Sequence, residues 1–541
     1  MGGAGKASAL PNLGWRGTTS LDPQQEASRF LAQATFGGDR DLIDEVVTTG
    51  LESWLDDQLA LPANPTLPDV QALVAANPGD SEVDLYLYFD WVWWQRAMTA
   101  PDLVRHRVAF ALSQIFVVSR REDTLFDSGD GMASYHDVLL RNAFGNARDL
   151  LLEVALHPMM GVYLSHALNR RSDPSLNRFP DENFAREVMQ LFSIGLFELH
   201  PYGSQVLDGE GQPIPTYSNA EITEMAKIFT GLTFAPEEPG DPIEWDESDN
   251  LVDPMAMFEP EHEPGPKTLI GGVVVPAGQT GMEDIEAAID VLFDHPNLGP
   301  FLGRQLIQRL VTSNPSPAYI ARISAVFADN GSGVRGDLAA VIRAILLDPE
   351  ARDSSRIDDP TFGKVREPII RWIQLGRAFH LFSETGLFRH FGGTSLEDED
   401  FGELEPMAQY PYFSPSVFNF FSPFHQPAGG LVDAGLVSPE MEIIHSYTSI
   451  ATINMVDRAI FQEHHLSDQD DPLALDLDTE DAIEDPVALV DHLDLLLTYG
   501  TLSAASRQTI LDAILPIEDS YDRAMLALYL LMISPDYAVQ R

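Results

Sequence analysis

The segment Glu182-Asn183-Phe184-Ala185-Arg186-Glu187 holds the residues whose types and spacing most invite chemistry. Wound as a helix at about 100° per residue, it places Glu182, Ser193, Arg186, Gln190, Asn183 and Glu187 on one arc of roughly 140°. Phe184, Val188, Leu191 and Phe192 fall on the opposite side. Glu182 and Arg186, four apart, have ion-pair spacing, and Asn183 and Glu187 share the same relation. Turned inward, the arc would let Arg186 hold a carboxylate while Glu187 serves as general base or metal ligand. The plainer readings are a solvated face or an internal network joining this helix to its neighbours. A second group lies in the proline-rich run from His262 to Lys267, an imidazole base and an ammonium anchor for an anion. Brought together, Glu182, Asn183, Arg186, Glu187, His262 and Lys267 would form one polar site, and that convergence is the central expectation.

Metal ligation is the other chemistry on offer. Asp127-Ser-Gly-Asp130-Gly and Asp329-Asn-Gly-Ser-Gly set oxygen ligands around glycine turns, which makes Asp127, Asp130 and Asp329 calcium candidates. Neither run closes a twelve-residue loop with its Glu. Met255 and Met257 ahead of His262 form a soft set that copper would accept, or simply pack while His262 caps a turn. His157, His200, His295 and His425 lack the spacing of two ligands on one helical face. An aromatic cluster, Tyr410, Tyr412, Phe413, Phe418, Phe420, Phe421 and Phe424 with Asn419 and His425 embedded, would line a groove for a sugar or another planar ligand, or plug the space between helical layers. No Gly-x-Ser-x-Gly elbow and no Walker-type loop is present.

Helices must position these groups. Apolar residues at helical spacing predict helices over 83–98, 101–119, 134–156, 158–168, 180–195, 219–231, 283–294, 298–312, 317–328, 335–347, 366–383, 438–463, 487–498, 503–514 and 519–533. Ser218 and Glu221 have capping-box spacing. The best strand candidate is a small hairpin around Leu269–Val275. The class is mainly α: a large multi-helix bundle with long irregular loops at 201–217, 235–281 and 384–435. The expected organisation is a flexible leader over 1–20, a main helical domain over 21–350 and a C-terminal helical region over 351–541. The acidic run from Asp468 to Asp485 reads as solvated.

The formal net charge of −50, from 83 acidic and 33 basic side chains, excludes nucleic acid and anionic membrane surfaces as partners. The absence of cysteine excludes disulfides, thiolate catalysis and Cys-ligated metal. No apolar run reaches the length needed to span a bilayer. The first residues have no apolar core of a signal peptide, so a targeting segment is either unnecessary or lies outside this sequence.

Several blocks occur together and in one order: Arg29-Phe-Leu-Ala-Gln-Ala-Thr-Phe-Gly37, the Glu182–Glu187 segment, Phe229-Thr230-Gly231, His262 with Lys267, and His295-Pro296-Asn297. Leu310-Val-Thr-Ser-Asn314-Pro315, Gly333-Val-Arg-Gly-Asp337, Gly363-Lys-Val-Arg-Glu367-Pro368 and the Ser534–Arg541 ending follow. With these the chain resembles the bacterial DUF1800 family in its longer form. The resemblance implies export, in agreement with the acidity and the missing cysteines, and a second exported protein encoded nearby as partner. It implies no reaction. Gln190 and Phe192 depart from the family's commoner Glu and His. The expected protein is therefore extracytoplasmic (periplasmic, cell-surface or secreted) and acts as a scaffold or assembly partner. Two alternatives remain: a hydrolase-type enzyme using the Glu/Arg/His/Lys group, metal-assisted or not, and a calcium- or glycan-binding surface module.

Overall fold

A buried helix, Leu103–Ser113, anchors the architecture, with every residue from Leu103 to Leu112 inside. The computed structural model describes residues 21–77, 82–389, 408–461 and 473–541. Around the central helix pack Glu82–Thr99, Gly129–Asn142 and Leu298–Leu310, and the last of these continues into Pro317–Ala328 and Leu338–Leu347. The molecule is mainly α; among the described residues its strands form only two-stranded antiparallel pairs. One hydrophobic cluster runs from Ala27 to Tyr537. The ends of the chain meet within it: Pro23–Ala34 packs on Pro486–Thr498, and Lys364–Val365 pairs with Val539–Gln540. No described helix is long and apolar enough to cross a membrane.

Local chemistry explains where helices stop. The helix expected over 134–156 is two, Gly129–Asn142 and Ala147–Leu156, because Asn146 caps the second by accepting from the Arg148 N–H (2.9 Å). That expected over 180–195 ends at Gln190. Beyond it the Phe192 and Ile194 N–H groups bond five residues back, to Glu187 and Met189, and Gly195 closes the turn at φ 71°. The capping box forms as expected, Glu221 accepting from the Ser218 N–H at 2.6 Å. The hairpin forms two residues early, Lys267 opposite Val275 and Thr268 opposite Val274.

The stretch 201–217 is less irregular than its composition suggests. Bridges Phe197–Pro215, Leu199–Gln205 and Leu207–Pro213 fold it back on itself as an arm. The acidic run is only partly solvated: Leu473, Leu475, Leu477 and Glu480 are buried, and its residues up to 472 lie outside the described set, as do the expected leader and 390–407 of the aromatic loop.

Candidate functional site

Among the described residues, no hydrogen bond or ion pair joins the two segments expected to meet. Glu182 and Arg186 pair with each other at 3.5 Å while each stays 41% exposed, and Asn183 is exposed beside them. Such a pair contributes only about 0.3–0.5 kcal/mol. Glu187 alone turns inward. Its Oε2 has no hydrogen-bond partner, and burial raises its pKa above the usual carboxylate value. The neighbouring Tyr217 hydroxyl is likewise unpartnered and pushed up to about 12, first by burial and then by Glu187. A carboxyl whose folded-state pKa is raised favours folding below its ordinary 4.5, and that support is lost as pH rises through the folded value. Glu187→Gln, which mimics the protonated form, should therefore raise the melting temperature at pH 7 and leave it nearly unchanged near pH 4. A lower melting temperature at pH 7 would show that the carboxylate is needed in a network.

His262 and Lys267 belong to a segment whose strand, Lys267–Thr268, packs against the Asn219–Ile228 helix, as Asn183–Gln190 also does. Both are buried, and their partner is Asp284 in the first turn of Gly281–Asp294. The Lys267 ammonium uses its three donors on the Asp284 carboxylate, the Glu263 carbonyl and His262 Nε2, the last at 3.1 Å. His262 Nδ1 donates to the Thr230 carbonyl at 2.8 Å. With all donors engaged, these groups lock the loop onto two helices. Among the described residues, no hydrogen bond or ion pair joins this network to Glu182, Arg186 or Glu187.

A cavity of about 580 Å³ opens elsewhere, where the end of the Asn183–Gln190 helix, the arm after Gly195, the Leu298–Leu310 helix and the aromatic loop converge. Its apolar wall includes Phe197, Phe301, Phe418, Phe421 and Phe424; its polar groups include Gln114, Gln190, Gln205, Gln305, Asn419, Arg304 and Arg309. Side-chain amides hold these walls. Asn297 donates to the Ile194 and Phe197 carbonyls and accepts from the Leu199 N–H, all at 2.8 Å, clamping the arm to the helix. Gln308 donates to the Pro423 carbonyl at 3.0 Å, and Asn314 exchanges two 2.9 Å bonds with Val437, fixing the aromatic loop. At Gly195 an added Cβ would meet the Phe301 ring at 3.0 Å, so the close approach and the positive φ both call for glycine.

The cavity's polar groups are poorly satisfied by the protein itself. Gln305 and Asn419 are each only 7% exposed, yet Gln305 Nε2 and Asn419 Nδ2 have no acceptor. The Gln305 amide orientation is set by Arg309, which donates to its Oε1 at 3.4 Å, so the NH₂ must point away from that cation. Asn419 holds a left-handed backbone, φ 67°, which asparagine tolerates better than most residues. The aromatic loop is thus divided: Tyr410, Tyr412 and Phe421 are buried, whereas Phe418 and Phe424 stand 57% and 56% exposed at the cavity. His425 is not part of its wall; it faces Glu442 at 3.7 Å.

Behind the wall sits a buried ionic cluster. Lys364 faces Glu367 at 3.3 Å and Glu440 at 3.1 Å, and donates to the Arg309 carbonyl at 2.8 Å. Glu367 accepts from Gln409 at 2.7 Å and from Gln114. Arg107, also fully buried, donates to the Arg309 carbonyl, and burial holds it near 10 despite Glu367 and Glu440.

The metal candidates are placed as follows. Asp329 Oδ1 accepts from the Gly331 and Gly333 N–H groups at 2.8 and 2.9 Å, and Asp130 Oδ1 from Gly131 at 2.7 Å, while Asp127 is exposed. Met255 packs on Gly161, Met257 on Gly231 and Gly281. Among the described residues, no group of three or more His, Asp or Glu side chains gathers as a metal cage. Sequence reasoning passed over Arg304, Gln305, Arg309, Gln114 and Asp284. The legible signal was the recurrence of Phe301, Arg304, Gln305, Gln308 and Arg309 along one helical stripe.

No curated protein and no solved structure matches the chain. A family model described as "Protein of unknown function (DUF1800)" matches residues 29–539, and with nearly its whole length so covered the chain belongs to that family.

Proposed function

We propose that the protein binds a saccharide in the cavity between the Leu298–Leu310 helix and the aromatic loop. The observation that carries this reading is the combination of five carboxamide side chains with five phenylalanine rings around one cavity. Carboxamides supply both donors and acceptors to hydroxyl groups, and aromatic faces cover the apolar face of a sugar ring. The volume suits a small ligand or the end of a chain. An extracytoplasmic location, which the acidity and the lack of cysteine favour, would put envelope glycans within reach. A hydrolytic role would have to recruit Glu187, which lies outside the cavity wall.

Glycan-array screening followed by calorimetry tests the reading. Phe418→Ala and Phe424→Ala should each weaken the selected saccharide about tenfold, or about 1.4 kcal/mol, without moving the melting temperature, because both rings are exposed. An array without binders would remove the reading.

A partner-binding role draws on a different surface. The Ser446–Phe461 helix leaves Tyr447, Ile450 and Ile453 exposed in succession, a face that an assembly partner could cover.

A further inference from the structure

We infer that the saccharide taken by this cavity is acidic, with a sugar-ring carboxylate received by Arg304; this rests on the saccharide reading above. Acidic side chains make up 83 of the 541 residues, yet none of the described residues lining the cavity is Asp or Glu. The wall instead carries Arg304 and Arg309. Among the described residues Arg304 has no carboxylate within ion-pair distance, and its Nε lacks any acceptor. Its guanidinium stands 4.8 Å from the centre of the Phe424 ring. Stacking engages the face of the guanidinium and leaves its N–H edge to receive two oxygens of one carboxylate.

The field behind the wall acts in the same sense. Among the described residues, the carboxylates that Arg107, Arg309 and Lys364 face are Glu367 and Glu440, three cations against two carboxylates. An excess positive charge therefore lies within a chain whose formal net charge is −50. Positive charge shielded from water attracts an anion far more strongly than the same charge at the surface. Burial also lowers the Arg304 pKa, consistent with a cation held without a counter-charge. The unpaired Gln305 Nε2 and Asn419 Nδ2 add neutral donors beside it, suited to the hydroxyls of the same ring.

The test uses the full chain and two matched probes, a glucose disaccharide and the same disaccharide with its non-reducing unit oxidised to glucuronate, titrated by calorimetry. The acidic probe should bind at least about tenfold tighter. Arg304→Gln should abolish that preference, bringing the acidic probe down to the affinity of the neutral one in the same variant. Gln190→Glu, which adds a carboxylate to the wall without removing any buried pairing, should also abolish the preference, read as the ratio of the two affinities within that variant, should Arg304→Gln fold poorly. Equal binding of the two probes, or a preference that survives in a folded variant, overturns the acidic assignment and leaves the saccharide reading standing. Binding of neither probe overturns the acidic assignment, and if the array is also blank the saccharide reading falls with it.

Discussion

Asp284→Ala should lower the urea-unfolding midpoint by an amount equivalent to about 3–5 kcal/mol, because it leaves the Lys267 ammonium buried without its counter-charge. Lys267 and Asp284 are each about 1% exposed, so water cannot replace the lost carboxylate. Lys267→Met with Asp284→Leu removes both charges and should recover most of the loss, since replacing a buried pair by apolar groups is often neutral. Saccharide binding by the double variant should match the unmodified protein, as none of these residues lines the cavity. A single substitution costing under about 1 kcal/mol would show that the network is not a lock. Lost binding with unchanged stability would return His262 and Lys267 to a functional role.

This network shows where reading from residues reaches its limit. His262 and Lys267 attracted notice as rare basic groups among prolines, but Asp284 is one acid among 83 and nothing local distinguishes it. A buried pair and a catalytic pair use the same residue types, so only the third partner separates them. The helix Asn183–Gln190 presents a related problem: helical geometry fixed its polar arc, but not which part of a 140° arc packs inward. Glu187 is buried while Arg186, one position earlier, reaches solvent. Amphipathic helices and the capping box were legible because their signals lie within a few residues. The cavity was not, because it is assembled from segments near 114, 190–205, 300–309 and 417–424. Asn297 and Asn314 act on carbonyls about 100 to 120 residues away in the chain, so the motifs that mark the family conceal their purpose until the chain is folded.

Glu367→Gln should be comparably destabilising, about 3–5 kcal/mol at pH 7 by urea unfolding, and should also weaken saccharide binding. Glu367 is fully buried, and the Lys364 and Arg107 charges and its bonds from Gln114 and Gln409 hold its pKa below the usual value although burial opposes them. A carboxylate with a lowered folded-state pKa contributes stability that is fully present above its ordinary 4.5 and lost as pH falls through the folded value. The unmodified protein should accordingly lose this contribution in acid, whereas Glu367→Gln lacks it at every pH. The gap between the two should narrow below pH 4.5. Binding is affected because Gln114, which lines the cavity, is held by Glu367 itself. Glu440 cannot compensate fully, since burial still raises its pKa and, among the described residues, one of its oxygens has no partner. A Glu367→Gln protein as stable as the parent at pH 7 would mean that three buried cations tolerate a single carboxylate. The excess positive charge assigned to the cavity would then be neutralised by other means.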